Sequence, residues 1–143
     1  MFQPPSYVLI MDDDIDDLEM LSTALESSGI KVKSFISGEK GLTYLGLMTG
    51  NTELPVFIIL DFNMGRINGE QVLSFIKENK DTRHIPVVIY STGMSLILKR
   101  ALLDLGAFDC FIKPSSYLEF TAQVEIFKQL ALSFLANKKV ACK

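Results

Sequence analysis

Apolar and polar positions along this chain alternate between two periods. Short runs in which nearly every residue is apolar are followed, each time, by a longer stretch in which apolar residues recur every three or four positions. Tyr7–Met11 is the first apolar run and predicts a strand that ends in acids. Residues 14–26 then carry Ile15, Leu18, Leu21 and Leu25 at helical spacing, with Gly29 as the stop. Residues 31–35 alternate as a strand does, and residues 38–48 place Leu42, Leu45 and Met48 on one side of a second helix. Residues 55–60 are apolar on both faces, as a central parallel strand must be. A helix over 69–79 follows, with Val72, Leu73 and Ile76 inward, then a strand over 85–90. A helix over 95–105 ends at Gly106, and a short strand over 108–112 leads to a final helix from Ser116, its expected cap, to about Ala136.

Strand and helix thus alternate five times, which predicts an α/β protein: a parallel sheet covered by helices on both faces. Right-handed crossovers leave few topologies, and the doubly wound five-stranded order 2-1-3-4-5 is the expectation. Those elements consume the chain from about residue 6 to 137, so one domain is expected, with 138–143 as a frayed tail and no room for a separate output segment.

Composition narrows the function classes. The chain has 143 residues, 48% of them hydrophobic, which suits one packed domain rather than disorder. The net charge of −3 gives no broad basic surface for nucleic acid. Asp12, Asp13, Asp14, Asp16, Asp17 and Glu19 concentrate six of the 17 acids, leaving 11 against 14 Lys and Arg elsewhere. Cys110 and Cys142 make no disulfide framework, and one histidine, His84, with two distant cysteines makes no zinc site. No signal peptide and no apolar stretch of membrane-spanning length is present, so a cytoplasmic protein without membrane contact is expected.

The chemistry lies where the strands end. Asp12 and Asp13 close the first strand, Asp61 the third, Ser91 the fourth and Lys113 the fifth. Carboxyl ends of parallel strands face one crevice, where ligands bind in such sheets. Two like charges about 4 Å apart repel by about 4 kcal/mol at an effective dielectric near 20. Three carboxylates therefore need compensation, part from Lys113 and the rest from a divalent cation; oxygen ligands suit Mg²⁺. A carboxylate beside a metal is a candidate nucleophile for an aspartyl phosphate, with Ser91 and Lys113 holding phosphoryl oxygens. Asp14, Asp16 and Asp17 read instead as acids favouring the start of the first helix, and Thr92 as a turn or cap residue before the fourth.

In the segments at Val8–Asp14, Leu60–Met64 through Asn68-Gly69, Ile85–Thr92 and Phe111–Pro114, the chain resembles the receiver domains of bacterial two-component response regulators, of the single-domain, chemotaxis-regulator-like kind. The resemblance spans about Tyr7 to Ala136 and implies a flavodoxin-like (βα)5 fold. It implies that Asp61 accepts a phosphoryl group from a sensor histidine kinase or a histidine phosphotransfer protein. It further implies that Asp13, Asp61 and the backbone carbonyl of Asn63 bind Mg²⁺, with Asp12 assisting through water. Ser91 would bind the phosphoryl group, Lys113 would pair with Asp61, and Lys113-Pro114 would be a cis peptide. On this reading the chain is a stand-alone phosphoacceptor and not an enzyme acting on outside substrates.

Three departures bear on the switch. Gly65 stands where receivers usually have Pro, Cys110 where they often have Tyr or Phe, and Gly93 leaves space beside the phosphate, which predicts rapid self-dephosphorylation. The fourth helix is apolar on more than one face, and Leu96, Ile97 and Leu98 are expected to meet a downstream protein. The alternative is a haloacid-dehalogenase-type phosphatase, which also uses an aspartyl nucleophile, but Asn63 stands where that chemistry places a second Asp. A flavin-binding module would need a phosphate-cradling loop after the first strand, where this chain has acids.

Overall fold

The computed structural model describes residues 6–48, 50 and 53–141. Five strands, β1 (Tyr7–Met11), β2 (Lys31–Phe35), β3 (Phe57–Asp61), β4 (Val87–Ser91) and β5 (Asp109–Ile112), alternate with five helices. The helices are α1 (Ile15–Ser27), α2 (Gly38–Met48), α3 (Gly69–Glu78), α4 (Leu96–Asp104) and α5 (Tyr117–Ala141). All strand pairings are parallel, and the order across the sheet is β2-β1-β3-β4-β5, as expected.

The sheet has a core on each face. Leu9, Met11, Ile58, Leu60, Val87 and Ile89 point to the α2–α3–α4 side, where Leu45, Val72, Leu73, Ile76 and Leu102 meet them. Val8, Ile10, Phe57, Ile59, Val88 and Tyr90 point to the α1–α5 side, against Leu18, Leu21, Leu25, Phe120, Val124 and Phe127. That alternation is the period-2 geometry of strands whose every residue is buried.

Local signals explain the helix ends. The Asp14 side chain caps α1 by accepting from Asp17 N–H, and Gly29 turns the chain out of it at φ +88°. Asn68 and Gln71 exchange side-chain to backbone hydrogen bonds in a capping box at the head of α3. Ser116 Oγ accepts from Glu119 N–H at the head of α5, the cap expected of it.

Several expectations are corrected. Ser95, not Thr92, caps α4, because only Ser95 has its hydroxyl one turn below Leu98 N–H. Ile15, in the helical stripe of α1, is 55% exposed: it is the first residue of the helix, and burial along the stripe starts at Leu18. Leu98 packs partly buried against the α4 core, whereas Leu96 and Ile97 are each 85% exposed. A nine-residue helix lying on a sheet turns one stripe inward, and Leu98 falls on it. The Lys113–Pro114 peptide is trans, as is every described peptide, in keeping with the ordinary preference of X–Pro bonds. Helix α5 continues to Ala141 rather than stopping near Ala136, with helix-forming Ala and Lys residues and no Gly or Pro to end it. Cys142 lies outside the described residues.

Candidate phosphoacceptor site

Four strand ends converge on one carboxylate cluster. Asp12 directly follows β1, Asp61 and Ser91 are the last residues of β3 and β4, and Lys113 directly follows β5. Backbone bonds lock these ends together: Asp12 N–H donates to Phe35 O, Phe62 N–H to Tyr90 O and Lys113 N–H to Ser91 O at 2.7 Å. Glycine at position 69 lets the head of α3 approach the end of β3. A Cβ there would lie 2.7 Å from Phe62 Cα and 2.8 Å from Asp61 O, both backbone atoms.

Asp12 and Asp61 are buried and Asp13 is exposed, yet one oxygen of each lies within 4.8 Å of the others. Asp12 Oδ1 accepts from Asp14 N–H at 2.9 Å, and Asp61 Oδ1 accepts from Asn63 N–H at 3.2 Å. Burial, and then the charge of Asp12, push the Asp61 carboxyl up to about 7, against the opposing pull of Lys113. Burial and a neighbouring carboxylate that Lys113 only partly offsets thus act together on Asp61. Hard oxygen donors, mostly anionic and opening toward solvent on the Asp13 side, fit a divalent cation such as Mg²⁺.

Lys113 supplies the positive charge from inside. Its side chain is only 10% exposed, and Nζ lies 3.0 Å from Asp12 Oδ2, 2.9 Å from Asp17 Oδ2 and 3.6 Å from Asp61 Oδ1. Burial opposes its charge, but hydrogen bonds to Asp17 and Asp12 outweigh that and hold the ammonium above its usual range. Ser91 is fully buried; its hydroxyl donates to Gly93 O at 2.9 Å and accepts from Asn63 Nδ2 at 3.4 Å.

The structure thus gathers Asp12, Asp13, Asp61, Asn63, Ser91 and Lys113 as the sequence predicts, and adds two residues. Asp17, read as a helix-dipole acid, is an ion-pair partner of Lys113; its place one turn into α1, directly above the acidic strand end, was the available signal. Tyr90, in the α1–α5 core, has its ring 5.4 Å from Lys113 Nζ, a cation–π distance, and burial pushes its hydroxyl above the ordinary tyrosine range. Cys110 lies buried on the α2–α4 side, while Tyr90 and Phe111 both face α1 and α5. The two rings therefore lie on the opposite side of the sheet from Cys110.

Comparison with known proteins gives the same direction. The family profile described as the response regulator receiver domain matches residues 8–125. The two-component response regulator ARR7 of Arabidopsis thaliana is 34% identical over 146 residues, covering 98% of this chain and 68% of that protein. Among solved structures, the phosphorylated cyanobacterial phytochrome response regulator RcpA superposes with a TM-score of 0.81 at 23% identity, over 90% of this chain and 95% of that one. The Mn²⁺-bound form of response regulator Rcp1 gives 0.74 at 24% identity, over 84% and 89%. At those identities the two structures speak for the fold.

Proposed function

Since the chain belongs to the response regulator receiver domain family, we propose that Asp61 is its phosphoacceptor and that Asp12, Asp13, Asp61 and the Asn63 carbonyl hold Mg²⁺. Receiver domains bind Mg²⁺ at an acidic pocket and take their phosphoryl group from histidine kinases or phosphotransfer proteins. The observation that carries the assignment is the convergence of a buried, crowded Asp61 with Lys113 and Ser91 at the carboxyl ends of three strands.

An oxygen of ionised Asp61 attacks the phosphorus of a phosphohistidine. The new P–O bond forms as the P–N bond breaks, and its electron pair leaves on the imidazole nitrogen, which then takes up a proton. The carboxylates of Asp12, Asp13 and Asp61 would hold a Mg²⁺ ion, which would supply positive charge to offset that of the transferring group. Lys113 balances the charge that develops on the same group, and the Ser91 hydroxyl exchanges its bond to Gly93 O for one to a phosphoryl oxygen. That exchange moves the loop before α4 and couples Asp61 to the helix on which Leu96 and Ile97 stand exposed. The output is then a change in protein contacts at α4, and the setting is the cytoplasm. The open space beside Gly93, where a Cβ would meet nothing within 4 Å, supports water access and rapid loss of the phosphoryl group. The dehalogenase-type reading is disfavoured, because the Asn63 amide does not ionise and so cannot act as the general acid or base which that chemistry places at this position.

Acetyl phosphate with Mg²⁺, followed by intact-mass measurement and peptide mapping, tests the assignment. One acid-stable, base-labile phosphoryl adduct on the peptide carrying Asp61 is expected, with none on Asp61→Asn. A wild-type protein that gains no adduct would refute it.

A further inference from the structure

Lys113 is the cation found at the acceptor among the described residues, yet its ammonium is hydrogen-bonded to other groups. Nζ lies within hydrogen-bond distance of Asp17 Oδ2 (2.9 Å) and Asp12 Oδ2 (3.0 Å), but 3.6 Å from Asp61 Oδ1, which is beyond it. Asp12 is buried at a strand end and held again by Asp14 N–H, so its position is fixed. Asp17 differs. Its side chain is 42% exposed, and it lines, with Lys113, Met20, Tyr90, Tyr117 and Phe120, a cavity of about 280 Å³ that Asp12 and Asp61 do not reach. The ammonium is therefore drawn toward the α1–α5 side by a carboxylate free to release it. Asp17 also sits in the first turn of α1, where its charge suits the helix dipole as that of Asp16 does, and its own N–H is satisfied by the cap Asp14, whatever its side chain does.

We infer that Asp17 is a positioning residue that draws Lys113 away from Asp61 in the unphosphorylated protein, and that Lys113 moves off Asp17 when it bonds a phosphoryl group on Asp61. The inference rests on Asp61 being the acceptor. Asp17 competes with the phosphoryl group for one ammonium, and removing its charge shifts the lysine toward Asp61. A half-exposed ion pair is weak, so the gain in affinity for a phosphoryl mimic is modest, about three- to fivefold.

The test is titration of beryllofluoride, at saturating Mg²⁺, into the full chain and four variants, followed by the amide resonances of Ser91–Gly93. Asp17→Asn keeps the side chain's size and should bind at least threefold tighter than wild type. Asp17→Glu restores a carboxylate and should return to within twofold of wild type. Asp16→Asn removes the same charge from the same exposed turn without touching Lys113 and should also stay within twofold. A merely structural role for Asp17 would weaken binding or leave it alone. Tightening of less than threefold in Asp17→Asn, or equal tightening in Asp16→Asn or Asp17→Glu, overturns the inference. Failure of wild type to bind, or equal binding by Asp61→Asn, overturns instead the assignment of Asp61, and the two failures are distinct.

Discussion

Asp61 is expensive to keep ionised without a cation, and that cost has a sign. Its carboxyl titrates near 7 in the folded chain and at an ordinary 3.8 when exposed. The folded protein therefore holds a proton that the unfolded chain has released between those values. The associated stability is fully present below about pH 4 and is lost as pH rises toward 7. Thermal melts in chelator should show Tm falling between pH 5 and pH 8 in wild type and a flatter course in Asp61→Asn. At pH 8 that variant should be more stable than metal-free wild type by about 1–2 kcal/mol, a fraction of what such crowding costs at low dielectric. Mg²⁺ should raise the wild-type Tm at pH 8 and do less for the variant. A variant that melts below wild type in chelator at pH 8 would contradict the charge-excess account of the site.

Elements place the site, and two of them are tested by single substitutions. The head of α3 sits against the backbone at the end of β3 only because residue 69 lacks a Cβ. Gly69→Ala must displace Phe62 and Asp61 O, costing about 1–3 kcal/mol by urea denaturation, and should slow acceptance of phosphate as the acceptor moves. On α4, Leu96 and Ile97 point to solvent while Leu98 is partly buried. Ile97→Glu should change stability by less than about 0.5 kcal/mol and weaken binding of any partner that uses this face. Leu98→Glu should instead destabilise the domain by more than about 1 kcal/mol, because it sets a charge against an apolar layer. Equal effects of the two on urea midpoints would show that the inward stripe is misplaced. Three consecutive apolar residues in the sequence look equivalent; the helix's rotation on the sheet separates them.

The whole molecule is a sheet between two helical layers, and the α1–α5 layer is cemented by aromatic rings. Phe127 is fully buried, with Phe57, Tyr90 and Phe111 at ring-centroid distances of 6.3, 5.7 and 5.2 Å. Phe127→Ala should cost about 3–5 kcal/mol in chemical denaturation, since three strands lose a shared partner. Tyr90 belongs to that cluster and lies beneath Lys113, so the same change should loosen the lysine and weaken beryllofluoride binding. The linear pattern of the chain was enough for the alternation of elements, the order of the strands and the five residues Asp12, Asp13, Asp61, Ser91 and Lys113 at the strand ends, while Asn63 came from the family resemblance. Strand periodicity, helix stops and the handedness of crossovers are local or topological rules, and the carboxyl edge of a parallel sheet is a place that topology alone defines. Three things were settled only by packing: Asp17 as a partner of Lys113, Tyr90 beneath it, and Leu98 turned inward. Each depends on the rotation of a helix about its axis or on the face a strand residue takes, which long-range contacts set and neighbours in sequence do not.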